Sequence, residues 1–175
     1  MTEATSVEPK PTSLAKSEEF PDVIDWRLSL AKGDHIAKYQ NIILETMLSS
    51  IPPQNRESPI LRANLSGAIV DGRIQVWQIL GKVKETGEWR PVGYGTTSIR
   101  PDELSQEKTL LIYTLFSYGV IANSAYQHFW DVWSSYAKDQ GCVKVALFTQ
   151  NARVLKMTKS VGMDTSWHFV FRYVE

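Results

Sequence analysis

Cysteine is nearly absent. Cys142 is the only one in 175 residues, so no disulfide framework and no thiolate metal site can form. Its place after Gly141, at the head of an apolar stretch, reads as a small buried hydrophobe rather than a reactive thiol. Net charge is lacking too. Nineteen Lys and Arg balance nineteen Asp and Glu, which removes the long-range positive field expected of a nucleic-acid binder. The three histidines, His35, His128 and His168, lie far apart without an H-x-x-x-H spacing, so no metal is expected. No apolar run is long enough to span a bilayer, and the N-terminus has no apolar targeting core. The expectation is a cytoplasmic protein with no membrane or nucleic-acid partner, in which the triplet Asn64-Leu65-Ser66 is a coincidental match to a glycosylation acceptor.

What is present suffices for one domain: 43% of the residues are hydrophobic, and six Trp and seven Tyr are spread through the expected elements as core. Residues 1–20 carry Ser, Thr, Glu, Lys and Pro with few apolar side chains, and are expected to be a flexible arm able to dock a protein partner. The domain is expected over 21–175. In "VIDWRLSLA", Ile24, Trp26, Leu28 and Leu30 alternate with polar residues as in a half-buried strand. Asp34 is the expected cap of a helix carrying Ile36, Ile43, Leu44, Met47, Leu48 and Ile51 on one face, with Gln40 as an exception. Ser58-Pro59 opens a second helix running to about Ile69.

After Asp71-Gly72 come the strand "RIQVWQILGKV", the hairpin "KETGEWR" and the return strand "PVGYGTTSI". "TLLIYTLFS" is almost wholly apolar and is expected as a central strand covered on both faces. A long helix over 122–140 presents Ala125, Phe129, Val132, Trp133 and Tyr136 as its buried stripe, ended by Gly141. "CVKVALFT" is a strand, and "SWHFVFRYVE" a closing one. Between them, Asn151 is a good N-cap for a helix whose apolar face is Val154, Leu155, Thr158 and Val161, with Gly162 as its left-handed stop.

The order β-α-α-β-β-β-α-β-α-β, with the segments around Arg27 and Asp34, "GYGTTSI" and Asn151 to Met163, resembles the GNAT superfamily of acyl-CoA-dependent N-acyltransferases from about Ile24 to Val174. The resemblance implies an α/β (α+β) fold: a mixed, mostly antiparallel sheet flanked by helices, with Gly93 bending a strand. It also implies acetyl-CoA as cofactor. Backbone amides of Leu115, Phe116 and Ser117 would pair with the pantetheine arm, Asn123 and Ser124 would hold pyrophosphate, and Asn151 would belong to the same site.

The family's catalytic signatures are only partly present. "SYGVIANSAYQ" stands where a glycine-rich phosphate loop would enter the long helix, and Gly119 is its only glycine. From Thr109 to Ala137 there is no Lys or Arg. Thr158 stands where many relatives carry a tyrosine that protonates the leaving thiolate, and Tyr113 and Tyr118 are replacements to consider. Asp102 and Glu103, before the central strand, are candidates for the general base, against a plain solvated loop. The sequence is thus read as acyltransferase-like with a degenerate cofactor loop and weak or absent acetyl-CoA binding. The alternative is a non-catalytic interaction module, since "LLIYTLFSYG" and "LSGAIVDGRIQVW" also resemble GNAT-like proteins of bacteriophages and imply a host-modifying or virion-associated role.

Overall fold

The computed structural model describes residues 20, 22–50, 59–149 and 151–166. The arm expected over 1–20 (Phe20 excepted) and the closing strand beyond Ser166 lie outside the described residues. Within them the element order is β1 (Val23–Leu30), α1 (Gly33–Ser50), α2 (Pro59–Val70), β2 (Gln75–Val83), β3 (Trp89–Pro101), β4 (Lys108–Ser117), α3 (Asn123–Asp139), β5 (Cys142–Leu147) and α4 (Ala152–Ser160). This is the expected succession. The sheet runs β1-β2-β3-β4-β5, antiparallel except for the parallel β4–β5 pair.

Local chemistry explains most boundaries and a few departures. The expected inward row on β1 is broken: Leu28 is buried, but Ile24 and Leu30 are 57% and 47% exposed. A register shift between Val23 and Asp25 leaves Ile24 without a partner, and a bulged edge strand turns such a residue outward. Helix α1 starts at Gly33, so Asp34 lies inside the first turn rather than at the cap, where its carboxylate still complements the helix dipole. Gln40, the exception in the stripe, donates its amide to Ser66 Oγ at 2.8 Å and ties α1 to α2.

The core has two layers. On one face of the sheet α3 lays Phe129, Trp130 and Trp133 over Leu28, Trp77, Leu110 and Ile112. On the other, α1 and α2 pack Ile43, Met47, Leu65 and Ile69 against Val76 and Tyr94. Strand β4 is therefore covered on both faces and lies between β3 and β5, with β5 paired to its first half. It is an interior strand of the sheet, as expected of it, and the 13-residue β3 lies beside it.

Candidate functional site

Strand β4 changes character at Tyr113. Thr114 pairs with Thr96 and Ile112 with Thr97, so Tyr113 is an extra residue, a bulge in β4. Pairing with β5 runs from Lys108–Cys142 to Ile112–Leu147 and stops there, and after Leu147 the chain leaves the sheet for α4. Tyr113–Ser117 thus keeps β3 on one side and has no described strand on the other. Five residues of strand span about 17 Å. Leu115, Phe116 and Ser117 lie along this one-sided stretch and are only partly buried. On β3, Val92 is likewise an extra residue between Gly93–Ile79 and Pro91–Leu80, so Gly93 sits at a bend. A Cβ on Gly93 would lie 2.2 Å from the Phe116 carbonyl oxygen, so only glycine lets β3 approach β4 there.

The stretch ends at the start of α3. Ser117 Oγ donates to the Gly119 carbonyl at 2.5 Å, which turns the chain sharply, and the helix begins at Asn123. Its N-cap is Ala122, and no side chain caps it. Neither Asn123 nor Ser124 serves as the cap. Both are exposed in the first turn, beside amides that no side chain satisfies. A groove of about 780 Å³ opens between β1 and α3, with Trp26, Arg27, Trp89, Ser124 and His128 in its walls. Ser124 is therefore accessible from that side as well.

Helix α4 begins in the opposite way. Asn151 Oδ1 accepts from the Arg153 amide at 2.9 Å, which is the expected N-cap, and Gly162 has φ +79, the expected stop. Its inner face uses Met157 in place of Leu155, which is 38% exposed. Thr158 is buried and its hydroxyl donates to the Leu155 carbonyl at 2.9 Å. That hydroxyl proton is committed within the helix. Burial pushes up the phenol of Tyr126, in the first turn of α3, while the Arg153 cation pulls it back down.

Asp102 and Glu103 occupy the β3–β4 turn. Asp102 accepts from the Leu104 and Ser105 amides and from Ser105 Oγ, and these bonds hold its carboxyl below the usual range. The Asp102 amide bonds to the Glu107 carbonyl, just before β4, so both carboxylates sit about five residues, or roughly 17 Å, from the bulge. The structure does not bring them to Tyr113. What it does bring there is Arg100, whose guanidinium donates to the Tyr113 hydroxyl and lies 5.6 Å from its ring centre.

A second group was not foreseen. His35, Tyr39, Tyr94 and Tyr118 form a ring cluster on the α1 side of β4, with centroids of successive pairs 4.5–6.5 Å apart. Phe116 joins it against Tyr118 at 5.3 Å. Burial pushes the Tyr94 phenol up to about 12, and burial lowers His35. Residues 35, 94 and 118 come from three separate elements, so no local spacing could announce them. Cys142 is half-buried against the α3-side core, and burial raises its thiol. No group of three potential metal ligands occurs among the described residues, and no described helix is long and apolar enough to cross a membrane.

This architecture is the fold of the GNAT acetyltransferases. The likeness is structural: no family model and no curated protein sequence matches the chain. A probable acetyltransferase superposes with a TM-score of 0.61 at 14% identity, over 85% of this chain and 97% of its own. An aminoglycoside acetyltransferase from an uncultured soil metagenomic sample, in complex with sisomicin, also gives 0.61 at 14% identity, over 86% and 95%. Glucosamine-6-phosphate N-acetyltransferase from Arabidopsis thaliana gives 0.56 at 12% identity, over 87% and 100%.

Proposed function

We propose that this chain is an acyl-CoA-dependent N-acyltransferase-like protein with a weakened hold on its cofactor. The single observation that carries this reading is the one-sided stretch of β4 running from the Tyr113 bulge to the uncapped first turn of α3. An extended arm with amide groups fits such an edge, because the backbone offers donors and acceptors whatever the side chains are. Leu115, Phe116 and Ser117 would pair with it. First-turn amides that no side chain caps, with Asn123 and Ser124, suit a pyrophosphate at the far end, and Asn151 would belong to the same site. The structural neighbours are named acetyltransferases, which makes the acetyl thioester the natural probe.

Bound acyl-CoA would supply the thioester. A neutral acceptor amine would form the new N–C bond, the C–S bond would break, and the proton shed by the nitrogen would balance the one the thiolate takes up. With the phosphates at α3, the thioester falls near Tyr113. The Tyr113 hydroxyl accepts from Arg100 and so keeps its own proton for donation. We do not carry Asp102, Glu103 or Thr158 into this scheme, for the distance and hydrogen bonds given above.

The weakness follows from charge. No Lys or Arg lies between Thr109 and Ala137, so a cation for the phosphates must come from outside this segment, as Arg153 does near Tyr126. Each charge-assisted bond missing from the pyrophosphate costs about 1.5–3 kcal/mol. A micromolar site would then weaken by roughly ten- to several-hundred-fold for one or two such bonds. The same cation-free segment favours the second reading, a non-catalytic interaction module of the bacteriophage type that engages a protein partner through residues 1–20. Calorimetric titration with acetyl-CoA separates them. The acyltransferase reading expects saturable heat above the low micromolar range. No heat at millimolar acetyl-CoA would remove it and leave the module.

A further inference from the structure

We infer that the acceptor taken by this site carries a negatively charged group, carboxylate or phosphate, recognised by Arg100. The inference rests on the acyltransferase reading and adds the substrate class to it. Three ion pairs are formed among the described residues, Arg62–Glu45, Arg73–Asp71 and Arg90–Asp22. Arg100 is in none of them. It is exposed, and its guanidinium is engaged by a neutral phenol, Tyr113, rather than by a carboxylate. A guanidinium has five N–H donors, and one bond to a phenol leaves most of them for a ligand.

The position gives this cation its meaning. Tyr113 is the bulge at the vertex where β4 and β5 part, and the vertex is the end of the open stretch farthest from α3. Its ring packs toward the α1–α2 layer, and Arg100 lies on that ring. An acceptor nitrogen reaching the Tyr113 hydroxyl would therefore have beside it the forked cation bonded to that same hydroxyl. Nearby acidic groups do not cancel this charge. Asp102 is turned into its own loop by three hydrogen bonds, and Glu103 and Glu107 form no ion pair with Arg100. Polycationic amines would meet repulsion here, whereas a carboxylate or phosphate could take a two-pronged bond.

The test uses three primary amines, O-phosphoethanolamine, β-alanine and propylamine, at saturating acetyl-CoA, with release of free thiol as readout. The wild-type chain is expected to use one of the two anionic amines at least about tenfold better in kcat/KM than propylamine, as one charge-assisted bond implies. Arg100→Glu should erase or invert that ratio while changing acetyl-CoA affinity less than about twofold, and Arg100→Lys should retain part of it. Propylamine used as well as both anionic amines, or a ratio unmoved by Arg100→Glu, overturns the inference. Acetyl-CoA binding without turnover of either anionic amine also overturns it. Absence of acetyl-CoA binding instead overturns the acyltransferase reading beneath it.

Discussion

The two halves of β4 are almost equally apolar, yet they are held in different ways. Lys108–Ile112 is paired on both sides, with Leu110 and Ile112 at 0% and 5% exposure. Among the described residues Tyr113–Ser117 is paired with β3 alone, and Thr114 is its one buried residue. Composition does not distinguish the halves. The difference lies in backbone pairing, set by one extra residue at 113 and by where β5 stops. A fully paired strand is scaffold. A half-paired strand with a free edge can receive another chain-like molecule, which is why the candidate site begins where the pairing ends.

The largest effect should come from the contact that holds the second half in place. Replacing Gly93 by Val puts a Cβ 2.2 Å from the Phe116 carbonyl oxygen and 2.9 Å from Ser117 Cα, both backbone atoms that cannot swing aside. We expect a loss of at least about 3 kcal/mol in urea unfolding, from overpacking against a rigid neighbour. A loss under 1 kcal/mol would show that β3 and β4 are not held together at this point. Next in size, Leu110→Ala should cost about 3 kcal/mol, and Leu115→Ala about 1, since only the first opens a fully enclosed cavity. Equal losses would mean that the two halves are not packed differently.

The same contrast explains which parts were legible beforehand. Elements are local, and local signals found them: Asn151 and Gly162 bracket α4, Pro59 opens α2, and the apolar run marks β4. The site is a matter of register. Nothing in "TLLIYTLFS" says that Tyr113 lacks a partner, because a bulge arises from the match between two strands and not from either sequence. Asp102 was picked out as an acidic residue near an apolar strand. Three short-range hydrogen bonds turned it into a loop-closing group instead, and such bonds depend on the turn geometry. Arg100 went unnoticed because its partner stands 13 positions away.

The open half can be probed from its far end. Ser124→Asp adds a carboxylate to the first turn of α3, where the helix dipole favours it, so stability should rise by about 0.3–1 kcal/mol. The same charge would repel the phosphates, and acetyl-CoA affinity should fall about tenfold, or roughly 1.4 kcal/mol. Opposite signs for stability and binding are the signature of an anion site at this turn. If both stay unchanged, the open turn of α3 has no part in the cofactor site.

The smallest expected effect concerns the rings of His35, Tyr39, Tyr94, Phe116 and Tyr118, which pack together on the α1 side of the sheet. His35 Nε2 is buried there with no hydrogen-bond partner among the described residues, and burial, aided by the Lys38 cation, lowers its pKa below 6.5. Tyr39 and Tyr94 face the ring, and the Tyr94 phenol, pushed up to about 12, supplies no negative charge near neutral pH. Above pH 6.5 His35 is neutral in both folded and unfolded chains and contributes no pH dependence. As pH falls through 6.5 the unfolded chain takes up this proton first, so stability declines until the lower, folded-state pKa is passed. His35→Phe removes the titration and the orphaned nitrogen while keeping a ring in place. The melting temperature of the wild-type chain should therefore fall further between pH 7.5 and 5 than that of the variant, with the two nearly equal at pH 7.5. Parallel declines would show that the imidazole charges as freely in the folded protein as in the unfolded one, and that the ring cluster does not exclude water from His35.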